Sequence, residues 1–269
     1  MRWPAYARSG VLLLAAAGLF ACQQPHPPQT LGEFDPATAT FHLTNPDGTE
    51  LSFVFGLPGE IPLAGDVDGD GVDTVGVYHD GEFAVRTANS AGLEALVGAP
   101  FGKTTVAQPL FGKWFGQGKP PGKTHDGDIK PDFPALYEAG QVLLASGEIW
   151  TGPVTPFTYG NPGDVAFSGD WDGDGIDSLG VYRPSDGCIF LRNSNTTGIH
   201  DIKFCVVGGG QPVPGDWDGT GIETVAMCAP TDSTDPTKGT LTVYDHDGGA
   251  GPTRPCNPQH IQMAGHWVQ

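Results

Sequence analysis

The feature that most limits what this chain can fold into is an internal repeat. The segment Pro62–Tyr78 (PLAGDVDGDGVDTVGVY) returns as Ala166–Tyr182 (AFSGDWDGDGIDSLGVY) and, worn, as Val213–Met227 (VPGDWDGTGIETVAM). Two shorter echoes, Pro109–Trp114 (PLFGKW) and Met263–Trp267 (MAGHW), keep only its opening. The anchor glycines Gly65, Gly112, Gly169, Gly215 and Gly265 recur about every fifty residues, the period of one supersecondary unit that must bury a face against its neighbours.

Each unit holds four strand candidates. In the first intact copy, strand A (Ile61–Ala64) enters the acidic loop and strand B (Thr74–Tyr78) leaves it; strands C (Glu82–Arg86) and D (Glu94–Gly98) follow. With 41 glycines, 25 prolines and no amphipathic helical pattern, the chain favours short strands and turns. The predicted fold is all-β, a propeller of four-stranded blades. At the start, Leu31–Leu43 aligns with Leu179–Leu191 and so supplies strands B and C, with D near Leu51–Phe55. The chain ends just after a strand A at Met263–Trp267. A C-terminal A joined to an N-terminal B, C and D closes a ring of five blades and removes the open sheet edges. The alternatives are an open array or part of a ring completed by another chain.

Ahead of the repeats, Arg2 and Arg8 precede the apolar run Val11–Ala17, too short to span a bilayer and arranged as an export signal. Leu19-Phe20-Ala21-Cys22 resembles a lipobox, which implies cleavage and lipidation at Cys22. The expected organisation is a signal over 1–21, a Pro-rich tether over 22–30 and a propeller over 31–269, a monomer lipid-anchored at a bacterial cell envelope. A net charge of −18 argues against nucleic acid, which needs clustered cations, and against docking on anionic lipid. Membrane attachment is therefore expected only through the lipid. Export would place the four remaining cysteines in an oxidising compartment, permitting two disulfides. Cys188 and Cys205 flank the turn Asn193–Gly198 and could face each other across a hairpin; buried free thiols are the alternative.

The repeats, on their Asp-x-Asp-x-Asp-Gly loops, resemble the FG-GAP (or VCBS) repeat of integrin head propellers and bacterial surface proteins. The resemblance implies calcium in the loop joining strands A and B. Carboxylates at alternating positions of a tight loop repel strongly, and a hard divalent cation with oxygen ligands relieves this. The implied ligands are Asp66, Asp68, Asp70 and the Val72 carbonyl in one site, and Asp170, Asp172, Asp174 and the Ile176 carbonyl in a second. A third, weaker site would use Asp216, Asp218 and Thr220. Asp73, Asp177 and Glu223, at the loop ends, are further candidate ligands. The alternative is a hairpin of Asx-turns without metal. Lys113 and His266 stand where the first acid would be, and the Lys113 ammonium is expected to replace the ion in its blade.

No nucleophile elbow, zinc-protease helix or phosphate loop is present. The leading expectation is a non-catalytic interaction module for a protein or glycan. Phe115 and Trp150 are the candidate partner surface, because aromatic anchors dominate interface energetics. The alternative is a glycosidase of the five-bladed furanosidase type, which needs opposed carboxylates in the central channel.

Overall fold

The computed structural model describes residues 27–90, 96–97, 107–115, 131–146 and 155–267. The export segment, Cys22 and Trp150 lie outside the described residues. Twenty strands make five four-stranded antiparallel sheets. Blade I begins with β1 (Thr30–Asp35), β2 (Thr40–Thr44) and β3 (Glu50–Val54). Blade II is β4 (Ile61–Gly65), β5 (Thr74–His79), β6 (Glu82–Val85) and β7 (Leu96–Val97). Blade III is β8 (Gln108–Gly112), β9 (Phe133–Glu138), β10 (Gln141–Leu144) and β11 (Thr155–Thr158). Blade IV is β12 (Val165–Gly169), β13 (Ser178–Arg183), β14 (Cys188–Leu191) and β15 (Ile202–Cys205). Blade V is β16 (Gln211–Gly215), β17 (Thr224–Pro230), β18 (Gly239–Tyr244) and β19 (Ala250–Cys256).

The last strand, β20 (Ile261–Gly265), pairs with β1, with Gly32 opposite Met263. Blade I is thus built from both chain ends, the five-blade, three-plus-one closure predicted from the repeat. The innermost strands β4, β8, β12, β16 and β20 neighbour one another in a ring. The propeller begins slightly before Leu31: β1 starts at Thr30, and Gln29 already binds Asp216 in blade V.

Local chemistry explains the strands. β5 and β13 are buried at five successive positions, because a second strand has a blade packed on each face. The outer strand β3 alternates, burying Phe53 between exposed Ser52 and Val54. Two-residue hairpin turns join β5 to β6 through Asp80–Gly81 and β9 to β10 through Ala139–Gly140, all four residues at positive φ, as the type I′ turn requires. Apolar side chains gather between adjacent blades. Phe34, Phe41 and Leu43 of blade I meet Val75 and Val77 of blade II, while Val213 and Leu241 of blade V meet Leu31 and Ala264 of blade I. Disulfides join Cys188 to Cys205 and Cys228 to Cys256; the first pair are direct cross-strand neighbours in the β14–β15 register.

Candidate functional site

The acidic loops lie between strands A and B at one end of the ring. In blade II, the buried Asp66 carboxylate accepts backbone hydrogen bonds from Gly69 (2.7 Å) and Asp70 (3.0 Å) on Oδ1, and from Gly71 (2.9 Å) on Oδ2. Gly69 and Gly71 turn the chain at positive φ, which any side chain would resist. Asp170 repeats the pattern with Gly173, Asp174 and Gly175. These bonds draw the loop around its first carboxylate. Ligand oxygens of Asp66, Asp68 and Asp70 then lie within 4.8 Å of one another, as do those of Asp170, Asp172 and Asp174. Partial burial, then Asp70 and Asp66, push the Asp68 carboxyl above the ordinary aspartate range.

The donors are oxygens alone, from one buried and two exposed carboxylates in each loop. Such a set suits a hard cation and offers nothing to a soft one. In blade V the loop is drawn up the same way, with Thr220 and Gly221 N–H donating to Asp216, but the Thr220 hydroxyl donates to Asp218 Oδ1 at 2.7 Å. That third loop has two carboxylates where the others have three.

The loop-end acids sit elsewhere. Asp73, Asp177 and Glu223 do not join the loop clusters; each reaches across a blade boundary. Asp73 Oδ2 accepts from His266 N–H (2.7 Å), Asp177 Oδ2 from Lys113 N–H (2.8 Å) and Glu223 Oε2 from Asp170 N–H (3.2 Å). Two more residues complete the series: Asp132 Oδ2 accepts from Asp66 N–H (2.9 Å), and Gln29 Oε1 from Asp216 N–H (2.9 Å). Each bond is returned by the backbone. The N–H groups of Gln29, Asp73, Asp132, Asp177 and Glu223 donate to the carbonyls of Asp216, His266, Asp66, Lys113 and Asp170 at 2.7–3.2 Å. Every blade is therefore buttoned to its predecessor by one reciprocal pair, five times around the ring.

This ring of side chains explains the anchor glycine. A Cβ at Gly65 would lie 2.6 Å from Asp132 Oδ2, at Gly112 3.0 Å from Asp177 Oδ2 and at Gly215 2.8 Å from Gln29 Oε1; at Gly169 it would collide with Glu223 Oε2. Two residues further on, the indoles of Trp114, Trp171 and Trp267 fold back and donate to the carbonyls of Phe133, Ser178 and Thr30, in or at the start of strand B. Trp114 is thus a buried packing residue, whereas Phe115 is half-buried and packs edge-on against Phe133.

Together these groups form the acidic mouth of the central channel, a cavity of about 370 Å³ lined by Gln29, Asp73, Asp177, Glu223, His266 and Lys113, among others. Among the described residues, the Lys113 ammonium faces the loop-end acids of the channel mouth. Its Nζ lies 3.9 Å from Asp132 Oδ1. Asp132 first, then Asp177, Asp73 and Glu223, hold the ammonium charged well above the ordinary lysine range. Burial pushes all four carboxyls up, Asp132 and Glu223 furthest, while Lys113 pulls each down. His266 Nε2 donates to the Pro27 carbonyl at 2.7 Å, so the chain enters the fold beside this mouth.

No protein-family profile and no curated protein matches the sequence. Among solved structures, a match covering 83% of this chain and 65% of the other is a lectin of Agrocybe aegerita, described as specifically recognising non-reducing terminal N-acetylglucosamine. The identity is 12% and the TM-score 0.43. This chain spans less than two thirds of that lectin's length, and a likeness at this level carries nothing about ligands.

The sequence offered Asp126–Asp132 as a remnant acidic loop but did not place Asp132, or Gln29, in this ring. The signal that finds them is positional: Gln29, Asp73, Asp132, Asp177 and Glu223 each stand one residue before the second strand of a blade. The opposite end of the channel has a different character, with Ile61, Val165 and Ile261 among its lining residues and the amides of Gln108 and Gln211 between them.

Proposed function

We propose that this chain is a non-catalytic interaction module of the FG-GAP/VCBS type, stabilised by calcium and held at a bacterial cell envelope through a lipidated Cys22. The observation that carries the reading is the convergence of three carboxylates in each of two loops, in blades II and IV. Asp66, Asp68 and Asp70 would hold one ion and Asp170, Asp172 and Asp174 another, with the Val72 and Ile176 carbonyls completing the sets; Asp216, Asp218 and Thr220 would bind more weakly. A bound calcium would neutralise the mutual repulsion of the carboxylates and fix the loop that joins strand A to strand B. It would act on stability and leave recognition of a protein or glycan to surfaces such as that around Phe115. Since the chain enters at Pro27–Gln29, an anchor at Cys22 would hold the acidic end of the ring toward the membrane.

The test is thermal unfolding with calcium and with EDTA. A ligand that binds only the folded state stabilises it by about 2.7 kcal/mol at a hundredfold excess over its dissociation constant. A melting temperature that ignores the chelator would remove the calcium reading. For the anchor, Cys22→Ala is expected to release the protein from membranes.

One observation favours a second reading. The acids Asp73, Asp132, Asp177 and Glu223 meet where a five-bladed glycosidase would hold its catalytic pair, and raised carboxyls suit a general acid. Turnover of arabinan or fructan oligosaccharides, lost in Glu223→Gln, would establish it.

A further inference from the structure

Four blades place an acid at the same point of the channel mouth, and each acid has one oxygen engaged by its neighbour's backbone N–H. The second oxygen of each remains. Against these four carboxylates the described residues of the mouth set one ammonium, that of Lys113. A carboxylate taken out of water needs counter-charge or coordination; Asp73, Asp177 and Glu223 are half-buried at the cavity and Asp132 is buried, and the Lys113 charge balances one of the four. The shortfall is visible at Asp132. This residue is 6% exposed, its Oδ1 is buried, and no hydrogen-bond donor among the described residues reaches it. The nearest cation, Lys113 Nζ, stands at 3.9 Å, beyond hydrogen-bonding distance.

We infer that the acidic mouth of the channel is a cation site separate from the three-carboxylate clusters of the loops, taking one hard divalent ion on the ring axis between Asp73, Asp177 and Glu223, with Asp132 opened to it as Lys113 moves aside. The lining decides the class of ligand. Among the described residues it holds carboxylates, those of the loop acids Asp66, Asp170 and Asp216 included, with the Gln29 amide, glycines, His266 and Lys113, and no Phe, Tyr, Trp or aliphatic side chain. An organic ammonium would find no Phe, Tyr or Trp face there to cage it, whereas a hard ion takes oxygen ligands and keeps part of its water, for which about 370 Å³ leaves room. The Lys113 side chain is 37% exposed, so it can withdraw toward solvent as the ion enters. Lys113 and the ion thus compete for one set of carboxylates.

The experiment silences the loops first. In the full chain carrying Asp68→Asn, Asp70→Asn, Asp172→Asn, Asp174→Asn and Asp218→Asn, isothermal titration with calcium chloride is expected to retain one saturable site. Adding Glu223→Gln weakens that site. Adding Lys113→Met instead tightens it by about tenfold or more, because a like charge a few ångströms away has gone. Should Glu223→Gln fail to fold, the Lys113→Met arm still decides. A loop-silenced chain that binds no ion, or a Lys113→Met chain that binds no more tightly, overturns the axial site. If the native chain and the loop-silenced chain bind the same single ion, the axial site stands and the loop reading falls.

Discussion

Asp177 and Lys113 exchange two hydrogen bonds across the boundary between blades IV and III: Lys113 N–H donates to Asp177 Oδ2 at 2.8 Å, and Asp177 N–H donates to the Lys113 carbonyl at 3.2 Å. Replacing Asp177 by Ala leaves the Lys113 N–H without its acceptor, which costs about 1–3 kcal/mol. Asp177→Asn keeps an acceptor oxygen and removes a buried charge, so it is expected to cost less than about 1 kcal/mol. Urea denaturation midpoints of the two variants check the order.

The glycines beneath these acids make a sharper prediction. At Gly169 a methyl group would meet Glu223 Oε2 and the Trp171 ring together. Gly169→Ala is expected to destabilise by about 1–3 kcal/mol through overpacking. The control is Gly163→Ala, where φ is +87° and nothing lies within 4 Å; only backbone strain acts there, at about 1 kcal/mol. Thermal unfolding of both separates steric from conformational need.

Much of the fold was legible because a propeller repeats its own instructions. The glycine at Gly65, Gly112, Gly169, Gly215 and Gly265 marks the end of each innermost strand, so it counted the blades. The loop acids were legible because Asp66, Asp68 and Asp70 alternate within five residues. The axial ring was not, since it joins residues far apart in sequence. Asp132 follows an insertion that separates it from β8, and Gln29 carries no charge and falls in the expected tether. Asp73, Asp177 and Glu223 were visible as acids, but sequence could not show which way they point. Only the packing of one blade on the next does that.

The two disulfides are expected to differ modestly in weight. Cys188–Cys205 spans 17 residues and Cys228–Cys256 spans 28, so chain entropy assigns them about 3 and about 3.5 kcal/mol. Cys188→Ser with Cys205→Ser, compared with Cys228→Ser with Cys256→Ser, should lower the melting temperature in that order under oxidising conditions. The gap should vanish in reductant.

Titration tests the channel mouth from another side. Asp73, Asp132, Asp177 and Glu223 are held above the ordinary values of 3.8 and 4.5 in the fold. A carboxyl whose folded pKa is raised destabilises the fold while ionised. That cost is full above the folded value and gone below the unfolded one. In chelator, the melting temperature is therefore expected to rise as pH falls from about 8 toward about 5. In excess calcium the trend should reverse, as protons displace the ion.

Blade I gives the molecule a seam. Its inner strand β20 and its neighbour β1 come from opposite ends of the chain, with Thr30 Oγ1 reaching the Gly265 carbonyl across 235 residues of sequence. Contacts so distant form only after the intervening chain has been ordered, so four blades can assemble as an open arc while the fifth waits for β20. Synthesis order then becomes part of the architecture. The ring is completed by β20, made long after β1, and a chain without β20 keeps most of its sheets yet loses the circle that joins them.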